Sequence, residues 1–331
     1  MTPMKLVADV GGTNVRFALT RGRQLHAEAS FACAQFPSLA AAIEAFLAQS
    51  AATRPREAAV AIASAVTEDW VAMTNHSWAF SIEQTRQMLG LERLLVLNDF
   101  TALALSLPHL GVHELRQVGG GGARANAPIA LIGAGTGLGV SGLLPSPSGW
   151  VAIDGEGGHC SFSPANEREA DILRIVWRDY PHVSSERLVS GIGFENLYRA
   201  IAELDGSPAP PLEPAQITQR ALAHADPLCV GVLETFCAML GTAAANLAVT
   251  LGARGGVYVG GGIVPKLGEF FDRSGFRRRF EDKGRFSNYL AAIPTFVILA
   301  EHPALVGAAQ ALAEKSIAAS APTGSANHAG S

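Results

Sequence analysis

The same local plan occurs twice in this chain: an apolar strand, a short turn containing glycine and threonine, and a second strand. The first copy covers residues 5–20 with its turn at Gly11-Gly12-Thr13, and the second covers residues 129–144 with its turn at residues 135–137. At 331 residues the chain is also longer than one hydrophobic core usually serves. The repeat therefore predicts two similar lobes with a cleft between them.

Helical and strand periodicities alternate in the first third of the chain. We predict strands at residues 58–63 and 94–97, and helices that begin at Ser38 and at Phe100. This alternation favours an α/β lobe with a mainly parallel inner sheet. The second lobe is predicted to be rich in helices, which cover a sheet; its apolar patterns lie at residues 170–180, 193–204 and 227–251, with strands at 256–260 and 295–299.

Composition and charge narrow the class of ligand. The net charge of -4 gives no general basic field of the kind that attracts nucleic acid. Residues 1–10 lack the pattern of a secretory signal, and the longest uncharged stretch, residues 125–153, is too rich in Gly, Pro and Ser for a spanning helix. The four cysteines form no C-x-x-C pair, so we expect neither zinc nor a disulfide framework. These features predict a cytoplasmic protein that acts on a small molecule.

The two glycine turns are candidates for binding phosphate. Consecutive glycines let backbone N–H groups approach a polyphosphate closely, and Thr13 adds a hydroxyl donor. Asp9, at the end of the preceding strand, suits a magnesium ion held through water. The alternative is an ordinary hairpin with glycine at positive φ. Residues 133–139 are either another tight turn or the opposing half of a phosphate clamp, and no P-loop motif is present.

Asn98-Asp99 follows a strand, at the end where α/β folds place ligands. A carboxylate there can accept a proton from a hydroxyl that attacks phosphorus. The alternative is that Asp99 only caps the next helix.

Two further glycine-rich segments carry candidate binding groups. Glu156 and His159 in Gly155-Glu156-Gly157-Gly158-His159, with Glu186, could donate and accept hydrogen bonds to sugar hydroxyls, or could be a surface acid and a satisfied histidine. Gly260-Gly261-Gly262 follows an apolar strand and could fit a nucleotide base or ribose, or could be a turn with no ligand.

Together and in this order, these motifs resemble the bacterial glucokinase family, within the hexokinase and actin-like superfamily. The resemblance covers about residues 6–311, and its most specific segments are residues 70–76, 98–102, 133–139, 155–159, 275–276 and 281–286. It implies ATP-dependent phosphorylation of D-glucose at the 6-hydroxyl, the entry step of glycolysis, with Mg²⁺ and without zinc. It also implies a homodimer.

The resemblance implies a role for individual residues. Asp99 would be the general base, and Asp9 would hold Mg²⁺, with water between them. Glucose would be bound by Asn75, Asn98, Asp99, Glu156, His159 and Glu186. ATP would be contacted by Ala8, Asp9, Val10, Gly11, Gly12, Thr13, Gly135, Thr136, Gly137, Gly261 and Gly262.

The fold that the resemblance implies is α/β, with two actin-like, ribonuclease H-like lobes and an interlobe cleft. The small domain would cover residues 1–110 and be joined by a C-terminal helix at about 300–316. The large domain would cover residues 111–299, and residues 317–331 would form a disordered tail. The family's loop before the tryptophan usually carries Pro and Gly, whereas Ala65, Val66 and Glu68 stand here.

Three other functions are compatible with parts of the pattern. The first is a hexose kinase of broader specificity. The second is a sugar-responsive regulator, although the first strand begins at Lys5 and leaves no room before it for a helix-turn-helix. The third is an actin-type structural protein, against which the acids Asp99, Glu156 and Glu186 argue.

Overall fold

The computed structural model describes residues 3–22, 24–50 and 54–319, and side chains as far as residue 313. These residues form two compact units. Unit 1 contains the described residues of Met1–His109 and of His302–Ser331, and unit 2 is Leu110–Glu301.

Unit 1 is built from short strands and four helices among the described residues. Its elements are β1 (Lys5–Val10), β2 (Asn14–Arg21), β3 (Gln24–Ala32), α1 (Leu39–Gln49), β4 (Glu57–Ile62), β5 (Trp70–Ala72), β6 (Ala79–Ser81), α2 (Ile82–Met88), β7 (Arg93–Asn98), α3 (Asp99–Ser106) and the last described helix, α12 (Pro303–Ala319). Two of these helices begin after a serine N-cap. The Ser38 hydroxyl accepts from Ala41 N–H at 3.2 Å at the start of α1, and the Ser81 hydroxyl accepts from Gln84 N–H at 3.1 Å at the start of α2.

The main sheet of unit 1 has the strand order β3-β2-β1-β4-β7. β1, β4 and β7 are parallel, while β1 with β2 and β2 with β3 are antiparallel. The sheet is therefore parallel from β1 to β7 only, and β2 and β3 extend it as antiparallel strands on the other side of β1. Apolar clusters cover both faces, with Phe17, Ile43 and Phe46 on one and Val7 and Ala59 on the other.

Helix α12 completes unit 1. Leu305, Ala308 and Leu312 pack on the same face of the sheet as Val7. Gly307 lies directly over α3, where an added Cβ would overlap the Ala102 carbonyl, so only glycine permits this approach. The helix runs to Ala319, so residues 317–319, expected in a disordered tail, are helical; residues 320–331 lie outside the described residues.

Unit 2 repeats the topology of unit 1. Its elements are β8 (Leu115–Val118), β9 (Ile129–Ala134), β10 (Leu138–Ser146), β11 (Gly149–Ile153), α4 (Glu167–Val176), α5 (Gly191–Asp205), α6 (Pro214–Leu222), α7 (Pro227–Leu251), β12 (Val257–Gly260), α8 (Val264–Leu267), α9 (Glu269–Arg273), α10 (Phe276–Glu281), α11 (Ser287–Ala291) and β13 (Thr295–Ile298). The order β11-β10-β9-β12-β13 matches β3-β2-β1-β4-β7, and β8 adds an antiparallel edge. The senses of the strand pairs match as well. The prediction of two similar α/β sheets is confirmed.

Helix α7 is the central helix of unit 2. It begins at the N-cap Asp226, with proline at the first helical position, and ends at Gly252 in the left-handed conformation. The helix is long enough to cross a membrane, and its most apolar 18-residue window has a mean hydropathy of 1.7, but 61% of that window is buried within the protein. Buried side chains such as Phe236 and Leu240 make it a core helix.

Candidate active site

Three parallel strands of unit 1 end side by side at one edge of its sheet. Val10 of β1 pairs with Ile62 of β4, and Ile62 pairs with Asn98 of β7. The glycine turn at Gly11, the loop at Ser64 and the carboxylate of Asp99 therefore follow neighbouring strand ends. In open α/β sheets this carboxyl edge is where ligands bind.

The first glycine turn is closed by Gly11 N–H, which donates to the Asn14 carbonyl at 2.9 Å. Neither Gly11 nor Gly12 has a positive φ, so the turn does not require glycine for its backbone conformation. Gly12 is instead closely packed, because a Cβ there would lie 3.0 Å from Asn75 Cβ, so any side chain would push on the Asn75 loop. The turn and the Asn75 loop are thus in contact, and Thr13 is exposed.

Asp9 lies beside the first turn as a single, half-buried carboxylate. Burial raises its pKa, while the opposing charges of Arg16 and His302 act to lower it. Asp9 Oδ2 is 3.5 Å from Arg16 Nη1, directly across the β1–β2 pair. Its neighbours Ala8 and Val10 are fully buried in the core, so only their backbone atoms could meet a ligand.

Two internal hydrogen bonds close the loop that carries Asn75. Met73 N–H donates to the Trp78 carbonyl at 3.0 Å, and Trp78 N–H donates to His76 Nδ1 at 3.3 Å. The buried indole of Trp78 donates to the Phe36 carbonyl at 3.1 Å and so ties the loop to the core. Asn75 is exposed at the tip of this loop.

Asn98, rather than Asp99, caps helix α3. Asn98 Oδ1 accepts from the N–H groups of Phe100 and Thr101 at 2.9 and 3.3 Å. Asp99 is the first residue of the helix, and its Oδ1 also accepts from Phe100 N–H at 2.9 Å. The positive end of the helix dipole favours a negative charge at this position. The alternative reading of Asp99 as the cap is therefore wrong, since Asn98 provides the cap.

The second glycine turn is closed by one internal hydrogen bond and held by two further bonds from other segments of unit 2. Gly135 N–H donates to the Gly137 carbonyl at 2.8 Å, and Gly191 N–H, at the start of α5, donates to the Gly135 carbonyl at 2.8 Å. Ile263 N–H donates to the Ala134 carbonyl at 3.2 Å. Two separate glycine-rich segments therefore meet the turn.

A cavity of about 510 Å³ opens beside this turn. Of the predicted nucleotide residues, Gly135, Thr136 and Gly262 line it. Ile263, which directly follows Gly262, lines it as well, and the rest of its wall was not predicted from the sequence: Gly191, Phe194, Pro214, Ala215, Thr218, Gln219, Leu222 and Lys266. Five of these wall residues come from α6, whose start is marked in the sequence by Glu213-Pro214 and whose Ile217 and Ala221 are buried.

Glu186 packs against the second glycine turn. Its Oε2 accepts from Leu138 N–H at 2.9 Å. A Cβ on Gly137 would overlap this oxygen and would lie 3.2 Å from Glu186 Cδ. Glycine at residue 137 is thus what lets the carboxylate reach the backbone.

Glu156 directly precedes a short 3₁₀ turn, Gly157–His159, and His159 is the last residue of that turn. His159 Nε2 is 3.9 Å from Glu156 Oε2, and both side chains are more than half exposed. The segment that follows is bonded to the one that carries Glu186, because Ser185 N–H donates to the Cys160 carbonyl at 2.9 Å. The three predicted sugar ligands of unit 2 therefore lie on adjoining segments.

The residues described contain no group of three or more His, Cys, Asp or Glu side chains arranged to hold a metal. The four cysteines are free thiols, and only Cys160 among them is exposed.

A family model described as Glucokinase matches residues 6–315. The chain belongs to the glucokinase family. A glucokinase from Chromobacterium violaceum is 55% identical over 94% of this chain and 89% of its own. The crystal structure of glucokinase from an Antarctic psychrotroph is 34% identical, with a TM-score of 0.86, over 95% of this chain and 99% of that one.

A more distant structure shares the fold. The glucokinase from Streptomyces griseus, solved with glucose and AMPPNP, is 19% identical and has a TM-score of 0.61 over 93% of this chain and 98% of its own. These similarities confirm three predictions from the sequence: the glucokinase family, the mixed α/β actin-like fold, and the activity of a phosphotransferase that phosphorylates glucose.

Proposed function

We propose that this member of the glucokinase family transfers the γ-phosphoryl group of ATP to the 6-hydroxyl of D-glucose, giving glucose 6-phosphate and ADP. The observation that carries the proposal is the edge of the unit 1 sheet, where a glycine turn and Asp99 follow strands that are joined through β4. The bound AMPPNP and glucose of the Streptomyces griseus protein support the choice of donor and acceptor.

Asp99 acts as the general base. It accepts the proton of the 6-hydroxyl as that oxygen forms its bond to the γ-phosphorus, and the bond between the γ-phosphorus and the bridging oxygen of ADP breaks in line. Such a base typically contributes a factor of about 10² to 10⁴ to the rate. Asp99 is the first residue of α3 and directly follows the end of β7.

Glucose is held by short polar side chains. Those proposed to bind it are Asn75, Asn98, Asp99, Glu156, His159 and Glu186. The amide, carboxylate and imidazole groups can each donate or accept more than one directional bond, as recognition of several hydroxyls requires. The units correspond in this proposal to the small and large domains.

The nucleotide is held chiefly by backbone groups. The N–H groups of Gly11, Gly12 and Thr13 donate to phosphate oxygens, and residues 135–137 do so from the second turn. The cavity lined by Gly262 and Thr136 takes the base and ribose, since its volume falls in the usual range for small-molecule sites.

A magnesium ion fits Asp9, because one carboxylate beside a phosphate turn suits a cation that keeps most of its water. When bound, Mg²⁺ neutralises charge on the β- and γ-phosphates. The protein is expected to act as a cytoplasmic homodimer, with neither nucleic acid nor membrane as a partner.

The test is a coupled assay of ADP release across a panel of hexoses, with Asp99→Asn beside the wild type. We expect glucose to be the best acceptor, and the variant to bind glucose while kcat falls by about 10² to 10⁴. Glu83→Gln is the matched control, since Glu83 is an exposed acid in the first turn of α2. Near-normal turnover of Asp99→Asn would overturn the proposed role of Asp99 as the general base. Absence of glucose-dependent ADP release would favour the alternative of a sugar-responsive regulator.

A further inference from the structure

Ser64 follows the middle one of the three parallel strands in unit 1. Its side chain is buried, with 6% of the residue exposed. Ser64 N–H donates to the Ile62 carbonyl at 2.8 Å, and Ala63 N–H donates to the Val10 carbonyl at 3.0 Å. The residue is therefore fixed between the ends of β1 and β4.

Two segments are bonded to Ser64, one through its side chain and one through its backbone. Its hydroxyl oxygen accepts from Thr74 N–H at 3.1 Å, and its carbonyl accepts from Asn98 Nδ2 at 3.3 Å. Thr74 immediately precedes Asn75, and Asn98 immediately precedes Asp99. One buried residue thus joins the loop that carries Asn75 to the strand end that carries the proposed base.

The bond to Asn98 also fixes the orientation of that side chain. Asn98 Oδ1 is occupied by the cap of α3, and one N–H of its amide donates to Ser64. The remaining N–H of the amide is the donor that a sugar hydroxyl can use.

We infer that Ser64 is a positioning residue for glucose, which sets the separation between Asn75 and the Asn98-Asp99 pair without touching the sugar. The inference rests on the proposed sugar-binding roles of these residues. Removing the hydroxyl leaves Thr74 N–H without its partner and releases the Asn75 loop at one end, while the backbone bond to Asn98 persists. A displacement of up to about 1 Å in a binding group can cost as much as a hundredfold.

The test compares Ser64→Ala with wild type by calorimetric titration of glucose and by steady-state kinetics. We expect Kd and KM for glucose to rise by roughly 10- to 100-fold, with a much smaller change in KM for ATP. Ser106→Ala is the control, because Ser106 is fully buried in unit 1 and its hydroxyl donates only within α3, to the Leu103 carbonyl at 2.7 Å.

Rescue by Ser64→Cys separates polarity from volume. A thiol keeps the size of the side chain and a weak acceptor, so this variant should recover part of the lost affinity for glucose. An unchanged glucose Kd in Ser64→Ala, or an equal loss in Ser106→Ala, would overturn the inference. Wild-type protein that binds glucose but releases no ADP would instead contradict the proposed function and leave the binding test of Ser64 valid.

Discussion

Gly137→Ala tests the contact between the second glycine turn and Glu186. The new methyl group would overlap Glu186 Oε2 and lie 3.2 Å from Glu186 Cδ, so the carboxylate must move. Its bond with Leu138 N–H, now 2.9 Å, is then lost. The substitution therefore displaces a proposed glucose ligand without changing the ligand itself.

The size of the effect follows from that bond. A hydrogen bond to a charged group is worth about 1.5–3 kcal/mol, and each 1.36 kcal/mol corresponds to a factor of about ten in rate. If the bond holds Glu186 where the sugar needs it, kcat/KM for glucose should fall by about 10- to 150-fold. The loss should appear mainly with glucose as the varied substrate.

The assay is coupled ADP release at saturating ATP, with thermal melting to show that the variant is folded. Gly231→Ala is the matched control, because nothing lies within 4 Å of its added Cβ. A double variant with Glu186→Ala should be no less active than Glu186→Ala alone, since the clash has lost its partner. Wild-type activity of Gly137→Ala, or fully additive losses in the double variant, would refute the reasoning.

Three further outcomes follow from the charges and thiols. Burial raises the pKa of Asp9 above 3.8, so the stability linked to this carboxyl is present below pH 3.8 and is lost as the pH rises through the raised pKa. At pH 7 Asp9→Asn should therefore melt at a higher temperature than the wild type, while its activity falls. A lower melting temperature would contradict this. Burial raises the pKa of the Cys237 thiol to about 12, and Cys160 is exposed, so a thiol reagent should titrate one cysteine in native protein and four in guanidinium, with none reacting in native Cys160→Ser. Glu169→Ala removes the partner of Arg279 from a buried ion pair at 2.6 Å and should lower the free energy of unfolding in urea by about 3–5 kcal/mol. A loss below about 1 kcal/mol would contradict this.

The sequence predicts the repeated hairpins and the central helix because their signals are local. Alternating residues and adjacent glycines mark the first turn, and the helix at Pro227–Leu251 has a proline start and a glycine end. Helix α6 was missed because residues 207–214 are rich in proline, which is typical of a linker. Strand β11 was missed because prolines and serines precede it, although Pro145 pairs with Trp150.

The contacts that organise the candidate site could not be predicted, because they join residues far apart in sequence. Glu186 bonds a backbone group 48 residues away, and Ser64 bonds a side chain 34 residues away. The local periodicity of a sequence does not indicate which distant residues will be hydrogen-bonded to each other. The sequence could indicate which groups have the right chemistry, but the sheet register decides which of them are neighbours.

The place of α12 affects how the protein is made. Leu305 and Leu312 follow unit 2 in the chain, yet they cover a sheet that begins at Lys5. The contiguous second unit can fold as soon as it leaves the ribosome, whereas the first must wait with one apolar face uncovered until α12 has also been synthesised. A nonsense codon shortly before residue 303 would therefore damage unit 1 more than unit 2.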